Sequence, residues 1–488
     1  MSTLTLSRPS SSSLRRNAPW LVVVAVLGVS LGIAAALSHT AAVAVAMLPA
    51  VAVLFLRPRW LPAVLVASAF SEAMLTGSLT VSRIVGPLAL MIIVLALAGS
   101  ARLRLPRRSV LISVALYCLW ALASALWTVN PESGFSLGGT GYALASLGLS
   151  LIYMAATTMF VQTEGDLRRL AWVVWVMSTA AGLLSVGQFV AGHSRALGLS
   201  GDPNFFAAVQ VVALPIDALL VSEIQRGRTR LLVLAGLGVT VGSIITSLSR
   251  GGILALAAVF VLLTIQPAST FFRTRARKRA FIACAVLGAI ALTVASFSAL
   301  SARASTAFTT ADGGSGRRDL WLAALNGWQH HPLIGMGFGA FIGQSNQLLL
   351  QTPGVDFTGY ALRSTGQYVH NAYLESLTEL GVVGLVLFVL MLGTMIWSFL
   401  ATARQAERAQ ARFTGSFSRA LLLSAVGFAF TSMFLSTETQ RMLWILLGLS
   451  VALPRVLAGA QQPAPEAPPA NTIGPPLLRW ENPATRRT

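Results

Sequence analysis

The chain has 488 residues, of which 55% are hydrophobic and only 10% charged. That is more apolar side chain than a single soluble core can bury, and it recurs in blocks near the length that crosses about 30 Å of hydrocarbon. The composition excludes a soluble globular protein. The formal net charge of +19 has to be explained by where the charges fall.

In chain order, apolar blocks predict spans at 20–37, 41–56, 61–79, 83–99, 109–127, 139–161, 170–190, 205–223, 231–247, 252–267, 280–299, 379–401, 420–436 and 442–457, about 12–14 transmembrane helices. The first block follows Arg15 and Arg16 and ends in small residues, as a cleaved signal peptide does, but a second block starting at Ala41 favours an uncleaved span. The third is the weakest, because Ser71, Glu72, Thr76 and Gly77 interrupt it. Lipid offers the backbone no hydrogen-bond partners, so spans of this length are helices, and no strand-like alternation points to a barrel. The expectation is an all-α polytopic membrane protein. Its parts are a cytoplasmic tail at 1–18, spans over 19–299, an extracytoplasmic catalytic loop at 300–378, spans over 379–457, and a Pro-rich cytoplasmic tail at 458–488.

The basic residues sort themselves against this frame. Arg57 and Arg59, the cluster Arg102 to Arg108, Arg168 and Arg169, Arg226 to Arg230, Arg273 to Arg279, and Arg404 to Arg419 fall in alternate loops, which is the positive-inside pattern. Both termini then lie in the cytoplasm, and the excess suits anionic membrane lipids. No recognition module for nucleic acid accompanies it. A few arginines land on the outer side: Arg83, Arg195, Arg250, Arg303, Arg317, Arg318, Arg363 and Arg441. Each either snorkels to headgroups or has a specific anionic partner.

Three outer stretches carry local chemistry. In "SRALGLSGDPNFFAA", Arg195 precedes Asp202, a good N-cap, Pro203 at the first helical position, and Asn204. In "TSLSRGGILALAAV", Ser249, Arg250 and two glycines open the next outward-starting helix. There a guanidinium and free N–H groups converge as a phosphate requires, or the glycines form only a tight turn. In the long loop, Arg317 and Arg318 precede an amphipathic helix carrying Leu320, Trp321, Ala324, Leu325 and Trp328. The following "HPLIGMGFG" is a glycine-punctuated turn, with His330 and His331 at a helix end. Then "YVHNAYLESLTELGVVGL" sets His370, Asn371, Glu375 and Glu379 before a span. Cys118 and Cys284 fall inside different spans and read as small apolar residues. Neither a metal-ligand spacing nor a cofactor motif is present in the sequence.

Taken in order, "LWTVNP", "GDPNFFA", "SLSRGG", "SGRRDLW" followed by "HPLIGMGFGAF", and "HNAYLESLTELGVVGL" resemble the O-antigen ligase and polymerase superfamily of bacterial envelope glycosyltransferases, over roughly residues 120 to 450. The resemblance implies a lipid-dependent glycosyltransferase (GT-C-like) fold in the bacterial cytoplasmic membrane, with its site facing outside. It also implies an undecaprenyl-diphosphate-linked glycan as donor, a glycan or lipid-anchored acceptor, and no metal or cofactor. His370 is then the general base, and Arg195 and Arg317 hold the donor diphosphate. Arg318 competes with Arg317 for that place, and Arg250 is an electrostatic or structural residue. Asp202, Asn204, Asn371 and Glu375 stand in support.

A neutral histidine can take the acceptor proton, and arginines can stabilise the diphosphate as its charge grows. The sequence does not choose between a polymerase and a ligase, nor does it give the oligomeric state. A glycolipid flippase or exporter without catalysis is the alternative from another class, although mid-span charges to line a path are scarce. A structural scaffold has no use for arginines gathered at outward helix starts.

Overall fold

A computed structural model describes residues 57–72, 74–76, 79–98, 108–129, 139–193, 195–225, 227–272, 274–295, 297, 301, 316–355 and 366–461. The expected spans at 20–37 and 41–56, both tails apart from residues 458–461, and most of 300–315 lie outside the described residues. The described residues form fifteen α-helices: α1 Leu61–Phe70, α2 Val81–Ala98, α3 Arg108–Ala123, α4 Thr140–Phe160, α5 Glu164–Val190, α6 Pro203–Glu223, α7 Gly227–Thr246, α8 Arg250–Ile265, α9 Ala268–Phe271, α10 Arg275–Ala295, α11 Arg317–His330, α12 Ala340–Gln351, α13 Ala372–Arg408, α14 Arg412–Thr431 and α15 Arg441–Ala460. Among the described residues, nine helices are long and apolar enough to cross a membrane. The chain is an all-α polytopic membrane protein, as its composition indicates. Between α1 and α2, Met74–Thr76 and Leu79–Thr80 pair as a short antiparallel ribbon.

Two expected spans are corrected. The block at 61–79 is only the ten-residue α1, because Ser71 and Glu72 end the helix and the ribbon comes next. The block at 420–436 stops as a helix at Thr431. Residues 432–440 then run as an irregular loop into α15, although Met433, Phe434 and Leu435 are apolar enough to suggest a longer span.

The order of the elements puts the starts of α4, α6, α8, α13 and α15 and the ends of α5, α7 and α14 at one end of the bundle. Arg168, Arg169, Arg228, Arg230, Arg275, Arg408 and Arg412 lie at the opposite end. At the first end the starts of α6, α8 and α13 are closed by side chains that the sequence supplies. Asp202 Oδ1 accepts from Asn204 N at 2.7 Å and Phe205 N at 3.0 Å, and Ser249 Oγ accepts from Gly252 N at 3.2 Å. Asn371 Oδ1 accepts from Tyr373 N and Leu374 N, each at 3.1 Å. Caps of this kind satisfy donors that the helix itself leaves open.

Helices α6, α14 and α15 form the enclosed centre, with Trp444 and Phe428 buried, while α2 and α3 present Leu90, Leu95, Leu119 and Leu122 outward. Lipid tails are as apolar as leucine, so close backbone approach holds such a bundle together. Gly448 of α15 illustrates it, since a Cβ there would lie 2.7 Å from Met154 O of α4. Among the described residues a carboxylate sits mid-span. Asp217 of α6 is fully buried and accepts from Ser178 of α5 at 3.0 Å and Thr240 of α7 at 2.9 Å, which directs it into the bundle.

Helix α13 breaks at Gly381, whose φ of 70° and ψ of −170° fall in a region that side chains other than glycine's hydrogen do not tolerate. The 332–339 turn crosses this break. Val382 N donates to Pro332 O at 3.0 Å, and Met336 N and Gly337 N donate to the carbonyls of Thr378 and Glu379. A Cβ on Gly381 would lie 2.1 Å from Leu333 O. Gly381→Ala is therefore expected to destabilise the fold by about 1–3 kcal/mol or more, from strain and overpacking together. A melting temperature unchanged from wild type in detergent would contradict this reading of the kink.

Candidate active site

Two groups of polar side chains meet at the capped end of the bundle. The first joins the starts of α6 and α8. Arg195 donates from Nη2 to Asn204 Oδ1 at 3.0 Å and from Nε to Ser247 O at 3.3 Å. Asn204 Oδ1 also accepts from Ser249 Oγ at 2.9 Å. Arg195, two helix N-termini and the adjacent Arg250 thus gather where the macrodipoles of α6 and α8 are positive. An anion is the natural occupant of such a place.

The second group surrounds the start of α13. His370 stands just outside that helix with φ 56°. The cap is Asn371, so His370 does not serve as one. Its backbone N donates to Ser436 Oγ at 3.3 Å, and its half-buried ring lies 6.5 Å from that of Tyr368, centroid to centroid. The end of α14 and the 432–440 loop fasten this start in place: Ser432 O accepts from Ala372 N at 2.8 Å, and Tyr373 Oη donates to Ala429 O of α14 at 2.8 Å.

Helix α11 bears on the same segment through Trp321 Nε1, which donates to Val369 O at 3.2 Å. Arg317 lies one turn before Trp321 and so shares its face. Arg317 is half-buried whereas Arg318 is exposed. The motif alone leaves the choice between the two open, and this placement favours Arg317 as the inward one.

Between the groups lies a cavity of about 150 Å³ whose walls include Tyr142, Phe205, Tyr368, Glu375, Glu379 and Glu438. Phe205 puts the first turn of α6 in the cavity wall, next in the chain to Asn204, while the lining includes neither Arg195 nor Arg250. Phe434 packs where a Cβ on Gly251 would lie, 2.9 Å away, and brings the 432–440 loop against the start of α8. Glu379 is held by the N-terminus of α12, with Gly339 N donating to Oε2 at 2.7 Å and Phe341 N to Oε1 at 3.1 Å. Gly339 has φ 76°, and a Cβ there would lie 2.2 Å from Ala143 Cβ. The glycine turn therefore wedges α12 between α4 and α13. Burial, and then the charge of Glu375, push the Glu438 carboxyl well above the ordinary carboxylate range.

The structure thus brings His370, Asn371 and Glu375 together, and Arg195, Asp202, Asn204 and Arg250 together, with the cavity between them. Sequence reasoning missed Glu438, Ser436 and Tyr142, and gave Glu379 no role. The run "STETQR" between two apolar blocks was the available signal, since a carboxylate there has no place in a simple turn. Arg441 is one outer arginine that does have an anionic partner: its Nε lies 3.8 Å from Glu72 Oε1, and its Nη1 donates to Ser150 Oγ at 2.7 Å.

An all-α, multi-pass membrane protein with arginines gathered at two helix starts, a histidine at a third and a carboxylate-lined cavity is what the fold and site define. Within it, residues 234–389 match the family model described as O-antigen ligase, which bears out the resemblance read from the motifs. That segment contains Arg250, Arg317, Arg318, His370, Asn371 and Glu375, and leaves Arg195 and Glu438 outside. The chain is also 27% identical over 165 residues, 34% of its length, to the exopolysaccharide production protein ExoQ of Rhizobium meliloti (strain 1021), and spans 37% of that relative's length.

Proposed function

We propose that this chain is a glycosyltransferase of the bacterial cytoplasmic membrane, a ligase or polymerase of surface polysaccharide, with its site facing outside. The observation that carries the proposal is that His370 and the Arg195–Asn204–Ser249 group lie at the same end of the bundle, with His370 and Ser249 inside the segment that matches the O-antigen ligase model. The concentration of arginines at the opposite end supports the orientation, and the likeness to an exopolysaccharide production protein supports the class of product.

The donor is an undecaprenyl-diphosphate-linked glycan. Its diphosphate lies at Arg195, Arg250 and the inward Arg317, with its lipid tail in the bilayer. An acceptor hydroxyl attacks the anomeric carbon, and the bond from that carbon to the diphosphate oxygen breaks. His370 takes the hydroxyl proton, and undecaprenyl diphosphate leaves with the bond's electron pair, its growing charge met by guanidinium groups. Asp202 and Asn371 hold their helix starts, Asn204 orients Arg195, and Glu375 faces the acceptor side.

Reconstitution with a lipid-linked oligosaccharide, scored for product length and anchor, tests the reading and separates polymerase from ligase. Absence of any transfer or donor turnover by well-folded protein would refute it. Two further results are expected in that assay. Arg317→Lys keeps the charge but loses the planar fork, so the rate is expected to fall by about tenfold or more, with Arg318→Lys milder. Transfer is also expected to survive excess chelator, because the arginines supply at the departing diphosphate what a divalent ion supplies elsewhere. Chelator-sensitive transfer restored by a divalent ion would overturn the arginine mechanism.

A further inference from the structure

The mechanism leaves unexplained why three glutamates from two places in the chain share one small cavity. Glu375 and Glu379 lie on the first turns of α13, and Glu438 comes from the 432–440 loop. Glu375 is 8% exposed and Glu438 6%, and both line the cavity. Among the described residues, Glu375 Oε2 and Glu438 Oε1 are buried with no hydrogen-bond partner. An acceptor oxygen left so in a native interior costs about 1–3 kcal/mol unless something donates to it. Glu379 differs, because the start of α12 already satisfies both of its oxygens.

The occupant therefore brings donors. These carboxyl walls offer a diphosphate no counter-charge, and the arginine corner beyond Phe205 serves it instead. Among the described residues no group of three His, Cys, Asp or Glu side chains is placed to hold a metal ion. Sugar hydroxyls meet the remaining requirements: several neutral donors on a compact body, with apolar faces that the rings of Tyr142 and Tyr368 can flank. The position is also right for the nucleophile, since Ser436 both lines the cavity and takes the backbone N–H of His370.

Resting on the transferase reading, we infer that this cavity is the acceptor subsite: the terminal sugar of the acceptor glycan sits there, donating hydroxyl hydrogen bonds to Glu375 Oε2 and Glu438 Oε1, with its attacking hydroxyl turned to His370. Glu375 and Glu438 then set acceptor affinity and leave donor binding to the arginines.

The test uses the full chain in lipid nanodiscs. The probe is the lipid-free oligosaccharide pool released by mild acid from the polyprenyl-linked lipids of cells lacking this protein, titrated by calorimetry. Wild-type protein is expected to bind the pool, and Glu375→Gln and Glu438→Gln each to weaken binding by about tenfold or more. Tyr368→Ala, on the exposed rim, is expected to weaken it several-fold and serves should either glutamine variant fail to fold. In the transfer assay the glutamine variants are expected to raise acceptor KM by about tenfold or more, with a much smaller change in donor KM.

Oligosaccharide binding that is absent in wild type, or equal in all folded variants, overturns the subsite, as does a shift confined to donor KM or binding that requires a divalent ion. These outcomes are separable from failure of the transferase reading, which shows as no donor turnover at all, whether or not the free oligosaccharide binds.

Discussion

His370→Ala is expected to lower transfer by about a hundredfold to ten-thousandfold, the range a positioned general base contributes, with little change in donor affinity. The base acts on a proton that moves only in the transition state, so its loss falls on kcat rather than on binding. The backbone at His370 adds a control. Its φ of 56° lies in the left-handed region, where asparagine is better tolerated than alanine. His370→Asn therefore keeps the turn that presents Asn371 as the cap, and it is expected to be nearly as inactive as the alanine variant. Purified His370→Asn with a wild-type melting temperature and a rate within a few-fold of wild type would remove the imidazole from the chemistry.

Arg195→Ala is the second large effect. Removing one partner of a hydrogen-bonded charged pair costs about 2–5 kcal/mol, so kcat/KM for donor is expected to fall on the order of a hundredfold to a thousandfold. The loss includes more than charge, because Arg195 and Ser249 share Asn204 Oδ1 and so tie the starts of α6 and α8. Arg195→Lys is expected to fall between wild type and alanine, and Asn204→Ala to reproduce part of the loss with every charge retained. Steady-state rates against donor concentration distinguish these. Equal donor KM and kcat in wild type and Arg195→Ala would move the diphosphate elsewhere.

Much of the fold was legible because membrane helices and their caps are local. Asp202 with Pro203 and Ser249 before Arg250 each announce a helix start, and the long apolar block after each announces a span, whereas the cap of α13, Asn371, shows only in the structure. Hydropathy reports depth in the bilayer but not the point at which a helix turns away. The apolar run at 433–435 thus hid the loop that carries Ser436 and Glu438. Contacts between distant segments were equally hidden. Glu72 looked like an interruption in a span, yet it is the partner of Arg441, and nothing local to either residue says so. Glu379 looked like the first residue of a span, since only the folded glycine turn brings the N–H groups of Gly339 and Phe341 onto it.

The 432–440 loop has a consequence for how the protein is made. It joins the last two described helices, yet it supplies Ser436 beside His370 and Glu438 in the cavity, and its Ser432 anchors the start of α13. During synthesis the arginine corner, α11 and His370 all leave the ribosome before it. A nascent chain halted short of α15 therefore holds the donor side of its site without the wall that completes the other side. On the proposed mechanism, transfer then waits until the 432–440 loop and α15 are in place.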